Sequence, residues 1–537
     1  MKPPTHPAAP LTDLRFKTSC SHMTVDGEAL KLMWGDFHNH CSVGLFHHAK
    51  GSLERAIDNA RCHLDFFAFT GHSQWHDMPK MVNDAHLKWQ EGFDHHTALW
   101  PKTRKLIKAA NKPGRFAAFL GYEWHSAAYG DRCVIFKDDE GELRIMNDLA
   151  EVEAYARECG AMLYPHHIGY SQGLPGRGLN WETFDPGLSP IIEIQSEHGC
   201  SERDRGPYPY ITHSNGPRTT ENTYQRGLAR GVHCGVAGGS DDHLGFPGAY
   251  REGVVGVFAA GLTREDIFSG VWRRRTLAST GDRIGIDFRI NDGFIGDILP
   301  MAPDRRIRAA VSGWDEIDKV EIIKNSRIIH RAYPPSSSAT IGKLRQRFIL
   351  RFEYGWGPWS AFGMPRTADW KVEIRLKGAS ITAWQPAFQT APFDEERRHA
   401  VELADNRHVA LRSYTSRTGA FLEAPTNALV LEIQAAADDE ILLDFSEPEE
   451  KHFRYRLGDL FSNSRVGFMA DFPCESFLLH RLVPEQDYRI SVEFEDSAGP
   501  GEGEDHYYVR VTQANNQLGW SSPIWVGAGA QARGRGA

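Results

Sequence analysis

His38 and His40 flank Asn39 at the end of a short apolar run, Leu32-Met33-Trp34. In extended backbone, side chains two residues apart share a face, so a His-x-His at a strand end aims both imidazoles at one point. Taken alone the pair is weak, because two histidines are as readily satisfied by backbone hydrogen bonds. Further apolar runs end in the same chemistry: Gly71-His72-Ser73, Glu123-Trp124-His125, Pro165-His166-His167, Glu197-His198 and Gly239-Ser240-Asp241-Asp242-His243. Repetition at so many strand ends points to a shared metal centre. Imidazoles mixed with carboxylates suit Zn, Mn or Fe rather than Ca or Mg, which prefer all-oxygen shells. Histidine is also unevenly spread, with 19 of the 25 at or before His243.

Elements that alternate between strand and helix would bring these ends together. Strands are expected at Leu32 to Phe37, Asp65 to Thr70, Ala117 to Tyr122, Cys133 to Phe136, Ala161 to Tyr164, Ile191 to Gln195 and His233 to Ala237. Helical spacing falls between them at Leu53 to Arg61, Thr97 to Ala110, Asp148 to Cys159 and Glu221 to Arg230. This is the pattern of a parallel sheet or barrel with crossover helices, whose active sites form at the carboxyl ends of several strands. After about residue 285 strand runs follow one another without helices, with period-two alternation and turns at Pro334 to Ser338 and Ala498 to Gly503. An antiparallel β-sandwich is expected there. The chain therefore divides into a lead-in (1–28), an α/β barrel (29–285), a β-rich region (286–526) and a low-complexity tail (527–537).

At 537 residues the chain exceeds one core. A net charge of -9 spread without a basic block argues against nucleic acid as a partner. An anionic substrate would need locally concentrated positive charge. No window has the length of apolar sequence needed to span a bilayer, and the first residues lack the continuous apolar stretch of a secretory signal. Eight cysteines without a CxxC pair read as reduced thiols, so a cytoplasmic setting is expected.

The ordered motifs His38-Asn39-His40, Phe69-Thr70-Gly71-His72-Ser73, Gly121-Tyr122-Glu123-Trp124, Pro165-His166, Ile192-Glu193-Ile194 leading to His198, and Ser240-Asp241-Asp242-His243 resemble those of the PHP (polymerase and histidinol phosphatase) superfamily. Gly281-Asp282-Arg283-Ile284 and Trp520-Ser521-Ser522-Pro523-Ile524-Trp525 are similar to sequences of one bacterial branch of it, catalogued as a domain of unknown function. The resemblance spans about residues 30–526. It implies a distorted (β/α)7 TIM-like barrel that binds two or three divalent transition metal ions and hydrolyses a small anionic ester, a phosphoester first of all. It also implies a ligand set. His38, His40, Glu123 and Asp241 would hold one ion, and Glu123 would bridge to a second held by His166 and His198. A third would take His72, His243 and His48, with His47 as the other choice. Glu123 and Asp241 would then be catalytic as well. The branch usually reads Thr-Asp-His where this chain has Thr70-Gly71-His72, which puts the third ion in doubt and leaves a two-metal site open.

An ester other than a phosphoester, a lactone, a sulfate or an amide would suit the same activated hydroxide. A glycan- or partner-binding protein with an inactive barrel is the alternative of another class. Arg132, Arg177 and Arg283 could each clamp an anionic oxygen, and Arg283 is preferred as a catalytic residue because it follows Thr280-Gly281 at a strand end. His76, His95, His96, His125 and His213 read as surface or loop histidines, and His167 as either a supporting or a surface residue. Trp124 and Tyr170 could wall a pocket or belong to the core.

Overall fold

The computed structural model describes residues 22–25, 27–210, 215–335, 339–389, 397–417, 425–497 and 503–527. His213, most of the lead-in, the tail from 528 and parts of the two expected turns lie outside them.

The first half is built from β1 (Glu28–Asp36), α1 (Leu53–His63), β2 (Phe66–Phe69), β3 (His72–Trp75), α2 (Ala85–Ala110), β4 (Ala117–His125), β5 (Arg132–Phe136), α3 (Leu149–Cys159), β6 (Met162–Pro165), β7 (Ile191–Ser196), β8 (Gly235–Gly238), β9 (Val254–Ala259), α4 (Arg264–Trp272) and β10 (Thr276–Ser279). Local signals account for the helices. Ser52 and Asp148 cap α1 and α3 by accepting from the backbone N–H three residues on, and Gly160 in the left-handed region ends α3. Helix α2 begins well before the expected Thr97 and runs through both Gly92 and Pro101. Gly92 leaves room for the neighbouring loop: a Cβ there would lie 2.6 Å from Leu45 Cδ1 and 3.0 Å from the Leu45 Cα.

One hydrogen-bonded path runs β10-β9-β1-β2-β4-β5-β6, and β7 pairs with β8 in a separate sheet. Pairing is parallel for β1/β2, β2/β4, β3/β4 and β7/β8. It is antiparallel for β4/β5, β5/β6, β1/β9 and β9/β10. The uniformly parallel sheet expected from the sequence is thus replaced by a mixed one. Residues 126–131 between β4 and β5 are too few for a crossover helix, which leaves a hairpin. No continuous ladder closes a barrel among the described residues, although β6 lies beside β7 and β8 beside β9 and β10.

The rest of the chain is almost all strand. A six-stranded antiparallel sheet centred on Asn427–Ala435 and Gln346–Trp356 and a five-stranded one centred on Thr367–Lys377 share an apolar cluster that includes Phe352, Trp370, Phe445 and Phe477. The chain then returns: Leu518–Ser521 pairs antiparallel with β10, so a single ladder crosses residue 285. The molecule is a mixed α/β protein dominated by sheet, and none of its described helices is long and apolar enough to cross a membrane.

Candidate metal centre

Asp36, the last residue of β1, is buried and ties two chain segments together. Its carboxylate accepts from His38 N (2.9 Å), Ser240 Oγ (2.6 Å), Ser240 N (3.1 Å) and Gly248 N (2.8 Å), while burial pushes its pKa up to about 6. Backbone bonds complete the clamp, with His40 N donating to Asp242 O and Asp241 N to His38 O, both at 2.8 Å. Asn39 reaches the neighbouring strand, its Nδ2 donating to Ala68 O at 2.7 Å. The His-x-His pair is therefore fixed against the segment that carries Asp241 and His243. Asp241 itself sits at φ +56°, a conformation that costs a non-glycine residue energy and clusters at functional sites.

The side chains converge. His40 Nε2 lies 2.8 Å from Asp241 Oδ1, 3.2 Å from His38 Nε2 and 3.6 Å from Glu123 Oε2. His38 Nε2 is 3.2 Å from Asp241 Oδ1. Glu123 Oε1 meets His166 Nε2 at 2.8 Å, and Asp241 Oδ2 meets His198 Nε2 at 2.9 Å. His72 spans two neighbours, with Nδ1 2.6 Å from Glu123 Oε2 and Nε2 3.1 Å from His243 Nε2. His47 and His48 are both exposed, but the His48 ring is 4.8 Å from His243 and 6.5 Å from His72, whereas His47 is bonded to Glu91. The structure thus brings together His38, His40, His48, His72, Glu123, His166, His198, Asp241 and His243.

Donors at about 2.0–2.1 Å from a tetrahedral ion stand about 3.3–3.4 Å from one another. The distances of 2.8–3.6 Å around His40 are of that size. The nitrogens that face away from this centre are backed. Glu193 holds His38 Nδ1 at 2.9 Å, Glu197 holds His243 Nδ1 at 2.9 Å, Tyr170 hydroxyl meets His198 Nδ1 at 2.8 Å, and Cys133 Sγ stands 3.7 Å from His166 Nδ1. Carboxylates behind imidazoles fix ring orientation and raise ligand basicity, the arrangement characteristic of metal-bound histidines. The residues present fit a transition metal.

Several residues read from sequence as peripheral are part of this assembly. His125 is buried, with Nδ1 2.9 Å from Asp131 and Nε2 3.0 Å from His72 Nδ1. His96 is buried on α2 and holds the His72 carbonyl through Nδ1 at 2.9 Å. His167 is also buried, 3.4 Å from Asp131. His125 and His167 stand at strand ends already marked by Glu123 and His166, and the i+2 spacing of His125 from Glu123 is the signal that could have found it; His96 lies inside a helix, where neither spacing nor composition marks it. Arg177 pairs with Asp131 at 2.6 Å and packs over Trp75, which puts it beside His125. Arg283 stands elsewhere: its guanidinium donates to the His63 carbonyl at the end of α1 at 2.5 Å and its N–H to Gln385 at 3.0 Å. Arg132 spends its donors on the carbonyls of Tyr129 and Gly130. The arginine nearest the imidazoles is therefore Arg177, not the one preferred from sequence.

Protons compete with metal here. Burial and His38 would lower His166, but Cys133 and Glu123 bring it up to about 10; burial would lower His243, but Glu197 brings it up to about 9. His40 is lowered to about 3, chiefly by burial and then by His243. Burial would lower His38 as well, but Asp241 holds it well above the usual imidazole range. A metal must displace the proton from His38, His166 and His243, so affinity should strengthen as pH rises through about 9–10, and uptake near neutral pH should release about three protons. Calorimetry in buffers of different ionisation enthalpy measures that number. Zero release would remove all three nitrogens from the ligand set.

A family model described as a protein of unknown function (DUF3604) matches residues 52–158, from the cap of α1 through α3. An uncharacterised protein of Chlamydia trachomatis (serovar D) is 25% identical over 343 residues, covering 57% of this chain and 50% of its own. Another, from Chlamydia muridarum, is 28% identical over 374 residues, covering 63% of this chain and 52% of its own. One from Chlamydia pneumoniae is 29% identical over 267 residues, covering 45% and 42%. The chain spans about half the length of the curated relatives it matches. Among solved structures, a two-domain protein from Bacteroides vulgatus, whose description includes a predicted PHP-like metal-dependent phosphoesterase, aligns over 82% of this chain and 99% of its own. Its identity of 13% and TM-score of 0.34 leave that likeness without weight for fold or activity.

Proposed function

We propose that this chain is a metal-dependent hydrolase, a phosphoesterase first of all, acting on a small anionic ester at a site of two or three Zn, Mn or Fe ions. The observation that carries the reading is the set of imidazoles aimed at Glu123 and Asp241 with their outer nitrogens backed by Glu193, Glu197 and Tyr170. His38, His40, Glu123 and Asp241 would hold one ion, His166 and His198 with Glu123 a second, and His72, His243 and His48 a third. Bound ions would supply a hydroxide nucleophile near neutral pH and positive charge for the oxyanion. Asp241 also lies between the first two groups, since its Oδ2 faces His198 and its Oδ1 faces His40. Glu197, part-exposed beside His243, keeps a proton on Nδ1 and leaves Nε2 for a ligand. Arg177, steadied by Asp131 and Trp75, borders the His125 side of the centre, where it would favour an anionic substrate.

The same hydroxide would attack another ester, a lactone, a sulfate or an amide, which remains the second reading. A binding protein with an inactive barrel is disfavoured because every donor position named above holds a residue competent to bind metal. A cytoplasmic setting accords with the seven described cysteines, all free thiols. Metal analysis of the purified chain should give at least two equivalents of transition metal. A panel of chromogenic phosphate mono-, di- and triesters, sulfates and carboxylic esters, with each metal added back, should show metal-dependent turnover of a phosphate ester. Substoichiometric metal after reconstitution would remove the hydrolase reading; turnover confined to carboxylic esters or sulfates would replace the phosphoesterase one.

A further inference from the structure

Apart from the imidazole cluster, a cavity of about 280 Å³ lies between Tyr250-Arg251 and the strands of the second half, with Asp315, Arg351, Glu353 and His480 among its walls. Its size is close to the lower end, about 300 Å³, of small-molecule sites. Many wall groups are already satisfied. Arg351 Nη2 donates to both oxygens of Asp282 at 3.0 Å, and the Tyr250 hydroxyl donates to Asp282 at 3.0 Å. Glu353 accepts from Thr426 at 2.6 Å and from His480 at 2.7 Å.

What is left over has a pattern. Arg351 is more than nine-tenths buried, and its Nε has no hydrogen-bond partner among the described residues. Asp315 Oδ2 stands 3.7 Å from that nitrogen, beyond a direct hydrogen bond. A group that accepts on one side and donates on the other fills such a gap, and a hydroxyl is that group. Arg251 borders the opening, exposed, at φ +79°, a conformation disfavoured for a residue with a side chain. Charge decides between ligand classes: Arg351 is matched by Asp282, Glu353 pairs with His480, and the walls set Asp315 against Arg251, so no excess of positive charge favours an anion here.

We propose that this cavity binds a neutral polyhydroxylated molecule, a single sugar ring or a polyol, with hydroxyls bridging Arg351 Nε and Asp315 Oδ2 and with Arg251 at its rim. Asp241, His243, Tyr250 and Arg251 lie on one segment, 239–251, so an occupant would touch the same loop that presents two of the imidazole cluster's groups.

Saturation-transfer NMR on the purified full-length chain, with glucose, galactose, xylose and N-acetylglucosamine as probes and inorganic phosphate as the charged control, tests this. At least one neutral sugar should bind with a millimolar Kd. Arg251→Ala and Asp315→Ala should each weaken it about tenfold, the loss of roughly one charged hydrogen bond, while His72→Ala should leave it unchanged. Absence of transfer from every sugar would mean that water alone fills the cavity and would overturn the proposal. So would preferential binding of phosphate, or sugar binding that vanishes in His72→Ala and survives in both cavity variants, which would belong to the imidazole cluster.

Discussion

Glu123→Gln is expected to abolish metal-dependent turnover while the chain stays folded. The carboxylate sits among four imidazoles, Oε1 facing His166 at 2.8 Å and His125 at 3.3 Å, Oε2 facing His72 at 2.6 Å and His40 at 3.6 Å. Although burial would raise its pKa, His125, His72 and His166 hold it well below the usual carboxylate range, so it is charged at any working pH. An amide of the same shape loses that charge and, on the two-ion reading proposed above, would leave two bound ions uncompensated. Charge compensation worth several kcal/mol corresponds to about a thousandfold or more in rate. Rate, metal content and circular dichroism of the variant should show loss of activity and of at least one ion with the fold intact. Glu193→Gln provides the contrast, because Glu193 is bonded to the outer nitrogen of His38. Its loss should cost about 10- to 100-fold in metal affinity or rate. If Glu123→Gln keeps most of its activity, or loses no more than Glu193→Gln does, Glu123 does not bridge.

How much of this was legible in one dimension follows from what strands and helices advertise. Strand interiors in the first half are continuous apolar runs, so the seven expected strands fall on observed ones to within a few residues, and the polar residue ending each run stands out. Parallel or antiparallel pairing is not written in those runs. It depends on connection length, and the short 126–131 segment turns β5 back on β4. That hairpin also sets Cys133 opposite both Glu123 and Tyr164 in register, close to His166, a placement no motif suggested.

Supporting residues were less legible than the converging ones for a physical reason. A residue aimed at a shared point is constrained in type and in its offset from a strand end, whereas one that steadies it can come from anywhere. Glu193 stands on β7 within an apolar run and His96 in the middle of α2, reaching their histidines from 155 and 24 residues away, and Asp131, though only 6 residues from His125, comes from a loop. Arg283 is the opposite case. It follows a strand end as a clamp would, yet the returning chain fills that end: Leu518–Ser521 pairs with β10, and Gln385 and Trp314 hold the Arg283 backbone.

Gly71→Asp, the change that would restore the Thr-Asp-His of the resembling sequences, should destabilise the chain instead of tightening its last metal. A Cβ at Gly71 would lie 2.6 Å from Phe69 Cζ and 3.3 Å from His96 Cε1. Both neighbours are buried, and neither is the free end of a flexible chain. His96, bonded to the His72 carbonyl, already occupies this side of the strand end and steadies it. Forcing even a methyl into this packing costs about 1–3 kcal/mol, and a buried carboxylate without a partner adds several more, so Gly71→Ala should lose about 1–3 kcal/mol and Gly71→Asp more than that. The damage should reach the metal site as well, because the Gly71 carbonyl accepts from Glu123 N at 3.0 Å and any shift of one strand drags the other. Denaturant midpoints and metal titrations of the wild type and both variants measure the two effects together. An aspartate variant that is as stable as the wild type and binds its last ion more tightly would show that Phe69 and His96 can give way, and that the glycine is a lost ligand support rather than a packing requirement.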